Sequence, residues 1–528
     1  MPRPAGNGGT SLAKRGPNLF ARNFTKTRGL NTADSDADME AGYARSLLNY
    51  SVNRDSKPTL RGGVTPLNST VIAAGHPIIS IHEWISNTST VARQILVQTD
   101  NGRLFRRVSD DSYTELALPA GVVGTARWYS IMFRGSLLLT NGTDSVLTYD
   151  GTTVTVLGGS PQAFDYFTVH KQRVWGIKNM TVYYSALRDA TNWTPGTAAG
   201  SPNSIELSSV FATGDILRSI RGTDEFIVIF GDRNIAIYST DTDQTLIEIL
   251  KVMEGVGIVA PDAHLSKGIL LFWSEDGWKE VRATATTNNL ELGDDISDVV
   301  DNTFATHFSL IRAAGLRNSV FTVNRNKASW LMVAYPRKSD GTDLLIRIFN
   351  YRKKVEAWFE WNTKVPLYSI FVDSQGTIYA GGDGYLYEMD SGTSDRVSPS
   401  SAKLNIRAIW ELPYLYFDDP ITVKMFRYMR MIVENTDGIS FTFEQLFDFG
   451  TSESSVIPSR TISLDPAGPF WDEAYWDEAF GDAEGRTSPL VSIDGRGIAM
   501  KPMFIFEGFD KPHTFLYLNF EYKKGSRT

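Results

Sequence analysis

The feature that most constrains this chain is a turn that keeps returning, each time between two short runs of apolar and aromatic residues. It reads Ile-Leu-Val-Gln-Thr-Asp-Asn-Gly-Arg-Leu-Phe around Gly102, Leu-Leu-Leu-Thr-Asn-Gly-Thr-Asp-Ser-Val-Leu around Gly142, and Arg-Val-Trp-Gly-Ile-Lys-Asn-Met-Thr-Val-Tyr-Tyr around Asn179. It returns around Gly231, Gly277, Gly341 and Gly384, at intervals of 37 to 64 residues that average 47. One four-stranded propeller blade takes roughly 40 to 50 residues. The repeat therefore predicts an all-β chain built on a β-propeller of about six to eight blades.

One blade can be read strand by strand. From Arg127 the chain runs Arg-Trp-Tyr-Ser-Ile-Met-Phe, turns at Arg134-Gly135, runs Leu137 to Thr140, turns at Asn141-Gly142, runs Val146 to Tyr149, turns at Asp150-Gly151 and ends in Thr153 to Leu157. Asn-Gly and Asp-Gly suit tight hairpins because the central residues must reach positive φ, which glycine and asparagine tolerate best. A β-sandwich also alternates short strands with turns. The repeat, however, spans about 330 residues, more than a single sandwich occupies.

Composition narrows the chemistry. The 528 residues are 42% hydrophobic and 12% aromatic, which suits a globular chain of two or three domains. With no cysteine there is no disulfide, no thiolate metal site and no thiol nucleophile. The six histidines show no zinc spacing, no run of eighteen apolar residues suggests a membrane helix, and the opening Met-Pro-Arg-Pro-Ala-Gly-Asn-Gly-Gly lacks a secretory apolar core. The net charge of −8 is uneven: residues 1–30 hold Arg3, Lys14, Arg15, Arg22, Lys26 and Arg28 with no acid, leaving −14 on the rest. A basic, Gly/Pro/Asn-rich leader reads either as an extended docking arm ordered by a partner or as a solvated tail.

Three regions are expected. Residues 1–62 form an extended basic arm with one short helix, Asp36 to Asn49, capped by Ser35 and carrying Met39, Tyr43, Leu47 and Leu48 near one face. Residues 63–397 form the propeller. A small polar stretch around Pro399 then leads into residues 398–528, a β-sandwich-like platform with longer strands at Leu404–Leu412, Lys424–Glu434, Ile439–Phe447 and Thr514–Tyr522.

Candidate chemistry is sparse. Asp34-x-Asp36-x-Asp38 opens like a calcium loop, but Met39 stands at the glycine position and Arg45 at the glutamate position. Asp373-Ser-Gln-Gly-Thr-Ile-Tyr379 is a loose relative of the structural aspartate boxes of sialidase blades. No local signature singles out a nucleophile or a carboxylate pair. No catalytic, cofactor-binding or metal-binding residue is assigned, and the chain is expected not to be an enzyme. The most unusual string begins at Phe470, where Trp-Asp-Glu-Ala at Trp471 recurs at Trp476, and residues 461–485 hold seven acids and no base. Trp471, Asp472, Glu473, Trp476, Asp477 and Glu478 are read as an interface or channel loop, its aromatics anchored and its carboxylates in water.

Taken together, Ala41-Gly-Tyr-Ala-Arg-Ser-Leu-Leu-Asn-Tyr50, Leu60-Arg-Gly-Gly63, Val182-Tyr-Tyr-Ser-Ala-Leu-Arg-Asp-Ala-Thr-Asn-Trp193, Lys424-Met-Phe-Arg-Tyr-Met-Arg430 and the tryptophan-acid repeat resemble the tail nozzle, or tail tubular, proteins of short-tailed bacteriophages. The resemblance is spread over nearly the whole chain as degenerate pattern. It implies a structural protein of the virion tail: a homohexameric ring at the distal end, docked on an adaptor ring, beside tail fibres, conducting double-stranded DNA during ejection and possessing no catalytic residue. An acidic wall suits a conduit, since it keeps phosphates from binding by counterion release. The alternatives are a propeller that binds a host surface receptor or glycan, and a propeller glycosidase.

Overall fold

The computed structural model describes residues 19–527 apart from 88–91, 110–111, 242, 267, 284–289, 340, 342–343, 436–437, 451–455, 465–485 and 488–489. Seven four-stranded antiparallel blades follow one another around a common axis. Their first strands are Ile78–Ile85, Tyr129–Phe133, Tyr166–His170, Leu217–Gly222, His264–Ser266, Phe321–Arg325 and Ser369–Val372. Six of these first strands line the axial cavity, and neighbouring inner strands touch, Tyr166–His170 against Leu217–Gly222 and Ser369–Val372 against Ile78–Ile85. Six blades are built from consecutive strands. The seventh takes its outer strand from the start of the propeller: Val64–Pro66 pairs with Leu386–Met389, placing Val64 opposite Met389 and Pro66 opposite Tyr387. A strand borrowed across the ring closes it without a free seam.

All seven recurring turns join the second strand of a blade to the third. Gly102, Gly142, Asn179, Gly277, Gly341 and Gly384 have positive φ there, as tight hairpins require. Gly231 is kept for a different reason. A Cβ at that position would sit 2.7 Å from the Asp215 carboxylate, which accepts from the backbone N–H of Asp232 at 2.7 Å and from Asn234 Nδ2 at 2.8 Å. The blade read from sequence has strands Tyr129–Phe133, Ser136–Thr140, Leu147–Tyr149 and Val154–Val156, within two residues of expectation at almost every end.

Beyond the propeller, two sheets pack face to face. One has seven strands, with Arg486–Thr487, Thr422–Asn435, His513–Arg527, Pro58–Leu60 and Tyr50–Val52 in order; Leu19–Phe24 joins His513–Arg527, and Leu490–Gly497 joins Thr422–Asn435. The other continues blade six. Its order runs through Phe321–Arg325, Trp330–Pro336, Leu344–Asn350, Ala357–Asn362, Ser46–Leu48, Ile406–Glu411, Met500–Gly508, Ile439–Phe447 and Val456–Leu464. Alternating strand residues from both sheets, among them Phe441, Phe504, Phe515 and Phe520, fill the space between them. The Trp410 and Phe515 rings lie 4.9 Å apart and those of Phe441 and Phe515 5.0 Å apart.

Two expectations need correction. The helix at Asp36–Asn49 does not form: Ser35 caps a single turn, with Asp38 N–H donating to Ser35 Oγ at 3.3 Å, and the chain then becomes the strands Tyr43–Ala44, Ser46–Leu48 and Tyr50–Val52. Gly42, at φ +116°, ends the turn, and burial of Leu47, Tyr50 and Val52 between other strands outweighs a weak helical pattern. Nor is the described part of the leader an extended arm, since strands from residues 19–60 are built into both platform sheets. The sequence reading also missed the one α-helix among the described residues, Asp301–Ala313. It lies between blades five and six, with Phe304, Phe308 and Ile311 on its buried side.

Candidate functional site

The residues singled out from sequence divide sharply. Trp471, Asp472, Glu473, Trp476, Asp477 and Glu478 lie outside the described residues, as do Arg3, Lys14 and Arg15. The strands flanking the tryptophan-acid segment are described: Val456–Leu464 ends the nine-stranded sheet, and Arg486–Thr487 ends the seven-stranded one. Of the basic leader residues, Arg22 pairs with Asp418 at 2.7 Å and Arg28 pairs with Glu40 while lying 4.7 Å over the Tyr43 ring. Lys26 is exposed, and its charge helps burial to lower the Lys57 pKa. Arg22 and Arg28 thus pair with acids of the chain while their side chains stay about half exposed.

The three leader acids are similarly occupied. Asp36 accepts from Lys501 Nζ at 2.5 Å, Asp38 from Ser35 Oγ at 2.6 Å, and Asp34 from Asn31 Nδ2 at 2.7 Å. Among the described residues no three His, Cys, Asp or Glu side chains are grouped to hold a metal ion. Asp373 caps its own hairpin, accepting from Gln375 N–H at 2.9 Å and Thr377 N–H at 2.8 Å, and its other oxygen meets Arg93. The aspartate-box likeness is thereby a turn device.

A different set of side chains converges on the propeller axis. They enclose a cavity of about 310 Å³ lined by residues from the first strands of six blades and from the segments preceding them. His82 sits in a closed relay. Ser80 Oγ donates to Gln98 Oε1 at 2.6 Å, so it accepts from His82 Nε2 at 2.8 Å, and Ser130 Oγ donates to His82 Nδ1 at 2.9 Å. The same logic fixes His264. Thr322 Oγ1 gives its proton to the Asp262 carbonyl at 2.7 Å and so accepts from His264 Nε2 at 3.0 Å. Burial, with the Arg127 charge, pushes the His82 pKa down to about 3. Burial lowers His264 to about 4, Asp262 opposing and Arg221 assisting. Both imidazoles are neutral at pH 7.

The charged groups of the cavity are therefore Arg127, Arg221 and Asp262. Asp262 accepts from Tyr166 Oη at 2.5 Å and faces Arg127 Nη2 at 3.5 Å. Arg127 is fixed by stacking 3.9 Å over Phe321 and by donating to the carbonyls of Asn318 at 3.1 Å and Val320 at 2.8 Å. Sequence reasoning missed this site because its members come from strands up to about 290 residues apart, with no local spacing to find. The available signal was a polar residue on a first strand, visible only once the blades had been aligned.

No family model and no curated protein matches the chain. Among solved structures it is similar to the WD40 β-propeller domain of Doa1, at 11% identity and TM-score 0.38, covering 62% of this chain and 96% of that one. A streptogramin B lyase matches at 12% identity and TM-score 0.38 over 62% of this chain and 97% of that one. YCF48 bound to a D1 peptide matches at 15% identity and TM-score 0.37 over 64% and 97%. The propeller assignment rests on the chain's own strand pairing. No helix among the described residues is long and apolar enough to cross a membrane.

Proposed function

We propose that the protein is a structural component of a short bacteriophage tail, a nozzle subunit that assembles as a homohexameric ring, docks on an adaptor ring beside the tail fibres, and conducts double-stranded DNA during ejection. The observation that carries this reading is the nine-stranded sheet running without a break from the propeller axis through blade six into the platform. Such a sheet couples the two parts as one body, which suits a subunit that must keep its shape while DNA passes. The DNA path lies between subunits. An axial cavity of about 310 Å³ cannot admit a duplex whose major groove alone is about 12 Å wide.

The charge distribution supports the same reading. With −14 outside residues 1–30, a ring presents a body that repels phosphates. Arg3, Lys14, Arg15, Arg22, Lys26 and Arg28 are the candidate docking residues of the leader, and residues 471–478 a candidate subunit or channel contact.

Class-averaged electron micrographs of virions and of the purified protein test the proposal. Six-fold rings at the distal end of the tail are expected. Isolated monomers in the mature particle, or three-fold fibre symmetry, reject it.

A further inference from the structure

We propose that the axial cavity of the propeller is a binding site for a small oxyanion of the phosphate or carboxylate class, with Arg221 as its principal ligand. This inference is independent of the tail assignment. Arg221 lies at the end of the blade-four inner strand, Leu217–Gly222, half-buried and lining the cavity. Its backbone pairs with Val228, but its side chain makes no hydrogen bond or ion pair with any described residue. Every other charged group of the cavity is engaged: Asp262 by Tyr166 and Arg127, and Arg127 by two carbonyls and the Phe321 ring.

The neutral histidines sharpen the point. Their hydrogen bonds are satisfied as Nε2–H tautomers, so they add no positive charge, and Asp262 balances only one arginine. One guanidinium charge is left over inside a walled space. A partly desolvated cation without a counter-charge is costly, and an oxyanion that takes two parallel N–H donors is the partner that best relieves it. Further donors are at hand. Asn324 lines the cavity and uses Oδ1 to accept from Tyr351 Oη at 3.1 Å, leaving its amide nitrogen without a described acceptor. Arg127 Nε is also buried without an acceptor. The volume suits phosphate or a small carboxylic acid and excludes a glycan chain.

The test is calorimetric titration of the full chain with inorganic phosphate, and separately with citrate, at constant ionic strength. Saturable binding of at least one of the two, near one per chain, is expected, and the tighter of the two identifies the ligand class. Arg221→Met should weaken that binding at least about tenfold, the scale of a lost charge-assisted pair. Arg221→Lys should retain part of it, and Arg54→Met, at an exposed cation outside the cavity, should leave it intact. Failure of both anions to bind the wild-type chain overturns the proposal. So does an Arg221→Met protein, folded by circular dichroism, that binds as wild type does.

Discussion

Arg61 and Asp395 form a two-pronged ion pair at the point where the chain enters and leaves the propeller, Nη1 to Oδ1 at 2.8 Å and Nη2 to Oδ2 at 2.7 Å. Their side chains are 1% and 0% exposed. Arg61 also donates from Nε to Asn49 Oδ1 at 2.8 Å, and Asp395 accepts from Val64 N–H at 3.2 Å, so the pair ties the first platform strands to the closing strand of blade seven. A buried pair this well satisfied holds geometry more than it adds net stability.

Removing one partner should therefore be far worse than removing both. Asp395→Ala leaves a buried guanidinium uncompensated and should cost about 3–5 kcal/mol in urea denaturation. The double change Arg61→Met with Asp395→Leu should cost clearly less than Asp395→Ala. A double mutant that costs as much as the two single changes added together would show that the residues act separately.

Gly63 stands beside this pair and exchanges backbone hydrogen bonds with the turn after blade seven, its N–H donating to Gly392 O at 3.1 Å and its carbonyl accepting from Ser391 N–H at 3.1 Å. A Cβ there would lie 2.1 Å from the Ser394 carbonyl oxygen. Gly63→Ala should push the closing strand off its partner and destabilise the protein by about 1–3 kcal/mol. Hydrogen exchange locates the effect: amides of Leu386–Met389 should exchange faster while those of blade three hold. Uniform acceleration across all blades would mean the closure is not a separable unit.

What the sequence disclosed follows the range of the physics involved. The hairpins at Gly102, Gly142 and Asn179 were legible because positive φ is a demand met within two or three residues. The platform strands at Ile439–Phe447 and His513–Arg527 were legible through their alternation. The leader was misread because Leu47 and Tyr50 are buried by strands about 360 and 460 residues further on, Leu47 opposite Trp410 and Tyr50 beside His513. Arg221 was invisible for a related reason: its lack of a partner is a property of the closed ring and not of its neighbours in sequence.

Four histidines make stability depend on acid. Burial lowers the pKa of His82 to about 3 and those of His170, His264 and His513 to about 4, against about 6.5 in an unfolded chain. The unfolded state binds more protons below pH 6.5, so the stability these groups provide is complete above that pH and is lost as pH falls toward 4 and then 3. Each histidine contributes a slope of up to about 1.4 kcal/mol per pH unit in that window. Denaturation midpoints should fall steadily from pH 6.5 to 4, and His82→Gln should flatten the slope. A pH-independent midpoint across this window would mean that the imidazoles are protonated in the fold.

The leader offers the last prediction. Leu19–Phe24 lies along the C-terminal strand, Phe20 opposite Tyr522 and Phe24 opposite Leu518, with Phe20 and Tyr522 stacked at 5.7 Å. If this segment matters as a strand, its backbone counts and its charges do not. The Arg22–Asp418 pair has side chains 45% and 70% exposed, and such surface pairs are worth at most about 1 kcal/mol. Arg22→Ala with Arg28→Ala should thus leave the protein monodisperse and nearly as stable as wild type. Deleting residues 1–24 instead bares the edge of Leu518–Lys523, an open row of backbone donors and acceptors that pairs with other chains. Light scattering should then report aggregation for the deletion alone. Aggregation of the double arginine variant, with the deletion remaining monodisperse, would assign the leader's role to charge and return these residues to the docking function first expected of them.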